Sequence, residues 1–216
     1  MIVSFLLLLI WTKSIQGAHF NGGTLNWAPV YPSSNSSSVL ITITQSYSWT
    51  SPPENCTTNI PRSSGGNVNL TCVGNCSTQD GFSTTHVSII TDCTSYSASK
   101  GLVYSQRSVN ITLNINTFFW VAYRGSAWRS LANGGAGAAW AIVSLINLIR
   151  RPDGLINSPP IPQINSPQYV IANKTTIITL PVTDPNAGDD IRCRWSVQSR
   201  YCTLMKVDYC HSLVHP

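Results

Sequence analysis

Residues 109–115 constrain this chain most: Val109, Ile111, Leu113 and Ile115 alternate with Asn110, Thr112 and Asn114. Only an extended strand, whose successive side chains point to opposite faces, turns that pattern into one buried and one wet surface. The pattern recurs. Val39, Ile41 and Ile43 alternate with Leu40, Thr42 and Thr44, Val87 and Ile89 flank Ser88, and Val68, Leu70 and Cys72 are the apolar phase of residues 66–72. Residues 118–123 are a continuous apolar and aromatic run, which predicts a strand buried on both faces. These segments follow one another at short intervals with Gly, Pro, Asn and Ser between them, the spacing of an antiparallel β-sandwich. After residue 17 no stretch of twelve carries an uninterrupted helical apolar period with caps, so little helix is expected.

The amino terminus adds a location. Residues 2–11 are apolar except for Ser4, and Gly17 and Ala18 follow shortly after. Such a run falls short of the roughly 20 apolar residues needed to cross about 30 Å of hydrocarbon, but fits the core of a cleavable signal peptide. Residues 1–17 are read as that peptide, and the remainder as exported into an oxidising compartment. A second apolar stretch, 131–149, carries no charge and precedes Arg150 and Arg151. It holds Asn133, Gly134, Gly135, Gly137, Ser144 and Asn147, and polar amides are costly in hydrocarbon. It is therefore read as a loop at 133–137 and a strand at 139–149, and membrane association is not expected.

Seven cysteines fall into two groups, Cys56, Cys72, Cys76 and Cys93, then Cys193, Cys202 and Cys210. Behind a signal peptide they predict disulfides rather than a zinc site, since the Cys72/Cys76 pair lacks a second close pair of Cys or His. The first four can close into two bridges in three ways, which the sequence leaves open. A Cys56–Cys93 bridge would contribute about 4 kcal/mol and a Cys72–Cys76 bridge about 2 by loop-closure entropy. The second group is odd, so one thiol is left over, pairs with another chain, or marks an incomplete domain.

Acceptor sequons for N-glycans begin at Asn35, Asn55, Asn69, Asn75, Asn110 and Asn173. Asn110 and Asn173 lie on polar phases, where a glycan would point to solvent. Asn55 and Asn75 adjoin cysteines, so an early bridge would hinder modification there. Charged residues make up only 10% of the chain, far below the roughly 25% usual for soluble domains. Hydroxyl and amide groups must therefore cover the surface.

Residues 18–150 form the predicted sandwich domain. Pro152, Pro159, Pro160, Pro162 and Pro167 mark 151–167 as an extended linker. Beyond it, 169–172, 176–182 and 191–195 read as strands and 184–190 as a turn. Residues 168–216 are too few for a complete seven-stranded domain and read as a partial, truncated immunoglobulin-like or cadherin-like β unit.

The net charge of +5, or +4 once Lys13 leaves with the leader, is dispersed apart from Arg150–Arg151 and Arg192, Arg194 and Arg200. A nucleic-acid partner is not expected. A secreted hydrolase would need His86 beside a carboxylate and a serine, yet Glu54 is the single Glu and His19, His211 and His215 lie near the ends. No Gly-x-Ser-x-Gly, His-Glu-x-x-His or phosphate-loop motif occurs. Asp184, Asn186, Asp189 and Asp190 are hard oxygen donors that fit Ca²⁺. The same composition defines an ordinary solvated turn, which is the reading adopted, so no metal or cofactor is expected. Trp27, Trp49, Trp120, Trp128, Trp140 and Trp195 are assigned to core packing, with a sugar-stacking platform as the alternative.

Taken together, residues 22–27 (Gly-Gly-Thr-Leu-Asn-Trp), 42–49, the four-cysteine block, Asn157-Ser158-Pro159-Pro160 and the stretch from Val182-Thr183-Asp184-Pro185 to Arg192-Cys193-Arg194-Trp195 carry a resemblance. The chain resembles the amino-terminal region of large, uncharacterised secreted or cell-surface multidomain proteins of invertebrate animals, over roughly residues 19–196. That resemblance implies a non-catalytic adhesive, matrix or recognition role with extracellular proteins or glycans as partners. The carbohydrate-binding module and the secreted hydrolase stand as alternatives, and the oligomeric state is left open.

Overall fold

The computed structural model describes residues 19–31, 36–52, 54–61, 68–130, 137–163, 170–195 and 208–213, the backbone alone for 194–195 and 208–213. The segment read as a signal peptide, the Asn35 sequon, Cys202, residues 131–136 and the end of the proline-rich stretch lie outside them. The described chain is all-β and antiparallel, with no helix. In order the strands are β1 (Phe20–Pro29), β2 (Ser38–Thr50), β3 (Thr71–Gly74), β4 (Asp92–Ser97), β5 (Leu102–Asn114), β6 (Phe118–Gly125), β7 (Trp140–Asn147), β8 (Ile161–Pro162), β9 (Val182–Thr183), β10 (Asp190–Trp195) and β11 (Asp208–Leu213). Strands β1-β2-β5-β4 form one sheet and β3-β6-β7 the other, while β8-β9 and β10-β11 are small separate pairs.

The period-two residues close the sandwich. Val39, Ile41 and Ile43 of β2 lie opposite Leu113, Ile111 and Val109 of β5, and all but the half-buried Val109 are buried. Across the gap, β6 and β7 contribute Phe119, Val121 and Tyr123 opposite Ile146, Ser144 and Ile142. The indole N–H of Trp27 crosses between the sheets to donate to the Leu145 carbonyl at 2.8 Å, leaving this buried polar group satisfied. One end of the core is aromatic. Phe20 stacks on Trp140 at 3.7 Å and meets Trp49 and Trp128 edge-on at 5.0 and 5.7 Å. Burying such a ring contributes roughly 1.5–3 kcal/mol before edge-to-face contacts are counted.

Two disulfides form on the edge strands, Cys56–Cys93 reaching β4 and Cys72–Cys76 closing on β3. An edge strand has neighbours on one side only, and a covalent staple holds it where a second ladder would otherwise do so. Cys193 is also disulfide-bonded, and its register neighbour across the β10-β11 ladder is Cys210.

Several expectations change. Residues 68–70 and 87–89 make only an isolated bridge, with Leu70 N–H donating to Val87 O and Ile89 N–H to Val68 O. Leu70, Val87 and Ile89 are nonetheless buried as the alternation required, whereas Val68, of the same phase as Leu70, is 57% exposed. The apolar run of β6 is not covered on both sides, since Phe118 remains 45% exposed. Strands expected at 169–172 and 176–182 reduce, among the described residues, to the two residues of β9. The proline-rich stretch is not a free tether at its start: Ile156 is fully buried in the sandwich core and Arg150 bridges to it. The apolar residue outweighs the prolines around it. The 131–149 run, read as loop then strand, does contain β7, and no helix of the described chain is long and apolar enough to cross a membrane.

Candidate recognition surface

The two sheets present different outer faces. On the four-stranded sheet, β1, β2 and β5 contain one charged residue, Arg107, and it belongs to the core-facing phase, where it pairs with Asp92 at 3.1 Å. The outer phase is mostly hydroxyl and amide, with Leu40 and Ala28 as apolar exceptions. Thr42 donates to Asn110 Oδ1 at 2.8 Å and Thr44 bonds Ser108 at 2.9 Å, so neighbouring strands are laced across a flat, uncharged surface. Cross-strand pairs of this kind each add a few tenths of a kcal/mol and hold their rotamers.

The outer phase of the three-stranded sheet is apolar at its centre, with Arg124 and Asn147 toward its ends. Trp120 stands opposite Leu145 and Ala122 opposite Val143, while Phe118 opens beside them. Trp120 lies over Gly74, where an added Cβ would stand 3.1 Å from its ring, so glycine lets the indole settle on the edge strand.

Interior polar groups are the feature the sequence reading passed over. Gln45 is fully buried, donating through Nε2 to Ser88 O at 2.9 Å and accepting from the Tyr47 hydroxyl at 2.8 Å. The Tyr47 and Tyr123 rings lie 5.1 Å apart, with buried Glu54 nearby. Burial first, and then the charge of the other tyrosine, pushes the Tyr47 hydroxyl well above its usual range; burial and then Glu54 do the same for Tyr123. Both remain phenols at any physiological pH. Thr91 bonds the Ile60 carbonyl at 3.0 Å and the Ser105 hydroxyl at 2.7 Å. The signal was present in the chain: Gln45 and Ser105 occupy the inward phase of strands whose other inward residues are apolar.

The residues singled out from the sequence do not converge on one centre. His86 is exposed, and among the described residues it makes no ion pair. Asp80 is buried, but its carboxylate accepts the backbone N–H groups of Ser77, Phe82 and Ser83, which organises a loop. In the 184–190 turn, Asp189 Oδ2 lies 2.9 Å from Arg151 Nη1, Asn186 Oδ1 accepts from Ser158 N–H at 2.8 Å, and Asp190 pairs with Arg192. The guanidinium stands where a cation would be needed, and Asp184 Oδ1 is turned to the Asn186 N–H in an Asx turn. Among the described residues no cluster of three His, Cys, Asp or Glu could hold a metal. Trp27, Trp49 and Trp140 are core residues, and Trp120 and Trp128 are half-buried, so among the described side chains, which exclude Trp195, the indoles do not line up as an exposed platform. Of the described sequons, Asn55, Asn75, Asn110 and Asn173 are exposed and Asn69 is half-buried.

No protein-family model, no curated protein and no solved structure matches the chain.

Proposed function

We propose that this chain is an exported, non-catalytic recognition or adhesion protein, of the kind its sequence resembles at the front of large secreted or cell-surface proteins, with extracellular proteins or glycans as partners. The observation that carries the reading is the pair of disulfides on the two edge strands. Such bridges persist where thiols are not kept reduced. The interior supports it as well, because Gln45, Tyr47, Asp80 and Thr91 spend their polar groups on holding the sandwich together. The contact surface in this reading is the outer face of the three-stranded sheet, where Phe118 offers an aromatic anchor.

Expression of the full chain with its own leader in animal cells tests the proposal. Recovery from the medium with Cys56 joined to Cys93 and Cys72 to Cys76 is the expected result. Retention in the cytosol with those cysteines reduced overturns it. Beads coated with the secreted protein should adhere to cells or deposited matrix, and Phe118→Asp should weaken that adhesion at unchanged stability.

A further inference from the structure

We propose that the outer face of the four-stranded sheet is covered by an oligosaccharide on Asn110, and that the Asn75 sequon stays bare because the Cys72–Cys76 bridge pre-empts it. The inference rests on the export reading and assigns the occupant of one of its two faces.

Asn110 is exposed on β5, an inner strand of the sheet, with Thr112 two residues on and therefore on the same face. Its Oδ1 is held by the Thr42 hydroxyl at 2.8 Å. Because the amide is planar, that bond fixes Nδ2 on the side away from Thr42. The acceptor nitrogen and the sequon hydroxyl thus share an accessible surface on which β1, β2 and β5 place no charge. Sugar hydroxyls meet hydroxyls and amides there, and the fold loses no bond when Nδ2 is substituted. In the transfer, Nδ2 forms a bond to C1 of the sugar as the C1–oxygen bond to a polyprenyl-diphosphate donor breaks. One amide proton is lost and the lipid diphosphate leaves.

Asn75 has the same sequon chemistry and the opposite geometry. Its Nδ2 donates to the Phe118 carbonyl at 2.6 Å, and its backbone sits at φ 52°, a left-handed conformation. It lies inside a disulfide with a sequence separation of 4, against 37 for the other bridge. A loop that short closes soon after both thiols are exposed, whereas Cys56 must wait for Cys93.

The test is expression of the full chain in animal cells, enzymatic deglycosylation in heavy-oxygen water, and peptide mapping for the Asn-to-Asp conversion that marks each occupied site. Wild type should convert at Asn110 and not at Asn75, Thr112→Ala should lose one oligosaccharide's mass, and Cys72→Ser should gain conversion at Asn75. Conversion at Asn75 in wild type overturns the proposal, as does a bare Asn110. The cysteines then separate the two readings: if they are oxidised, this inference alone falls, and if they are reduced, the export reading falls with it.

Discussion

Two stretches of this chain have nearly the same chemistry and opposite fates. Residues 109–114 and 175–180 each hold three aliphatic and three uncharged polar residues, and both are free of charge. The first is the end of β5, paired to β2 along its whole length, with Ile111 7% exposed. The second is not a strand, and its Ile177 is 90% exposed. Strand propensity measures how well a residue fits a pleated, half-buried surface, so it is realised only where a ladder and a facing sheet exist. Residues 109–114 have both. Among the described residues, 175–180 have neither, and the flanking backbone bonds are Lys174 N–H to Ile171 O and Gln163 N–H to Pro181 O.

The largest test of that contrast is at the aromatic end of the sandwich. Phe20→Ala removes a fully buried ring that touches Trp49, Trp128 and Trp140, and should cost about 3–5 kcal/mol in urea unfolding. A loss below about 1 kcal/mol would mean that this end of the core is not cooperative with the rest.

The join between the two regions comes next. Arg151 bonds Asn157 at 3.0 Å and Asp189 at 2.9 Å, with the Asp189 side chain only 3% exposed. Asp189→Asn keeps the shape and removes the buried carboxylate charge beside a nearly buried guanidinium, leaving it only the exposed Asp153 at 3.3 Å, at a cost of roughly 3 kcal/mol. The cost should appear locally, as roughly a hundredfold faster amide exchange in β10 with the sandwich midpoint unchanged. A fall in the sandwich midpoint of the same size would show instead that the two regions unfold as one.

How much of this was legible in the chain follows the same logic. The inward phases of β2 and β5 and the antiparallel sandwich could be read because buried residues recur at period two over many positions. Strand β1 was not, because Gly22, Gly23 and Pro29 interrupt its Leu25–Trp27 alternation, yet β2 supplies a full ladder beside it. Ile156 was hidden among prolines, and its burial depends on where the sandwich happens to end. The polar lacing of Thr42 to Asn110 needed a register that no local pattern specifies. Partners, in short, are non-local, and propensity is not.

Alkaline pH tests the sandwich core through its two buried tyrosines. The folded-state pKa values of Tyr47 and Tyr123 are raised, so their contribution is fully present below about pH 10 and is lost as pH climbs from there toward the folded values. Each should steepen the fall in stability by about 1.4 kcal/mol per pH unit in that window. Tyr123→Phe should remove one such increment, measured as the difference in unfolding free energy between pH 9 and 11. An unchanged slope would place the phenol in contact with water.

The smallest effect is expected where propensity and partner disagree most. Ile177→Asp puts a charge into the most β-prone part of 175–180, yet its side chain is already almost wholly in solvent. Nothing has to be desolvated, so stability should move by less than about 0.5 kcal/mol. Ile111→Asp, the same change inside the ladder, should prevent folding, because an unpaired carboxylate would be forced between the sheets. The pair of variants isolates the environment from the residue. If Ile177→Asp were costly too, 175–180 would have to be covered by another part of the molecule or by a second one, and burial rather than its absence would be the state to explain there.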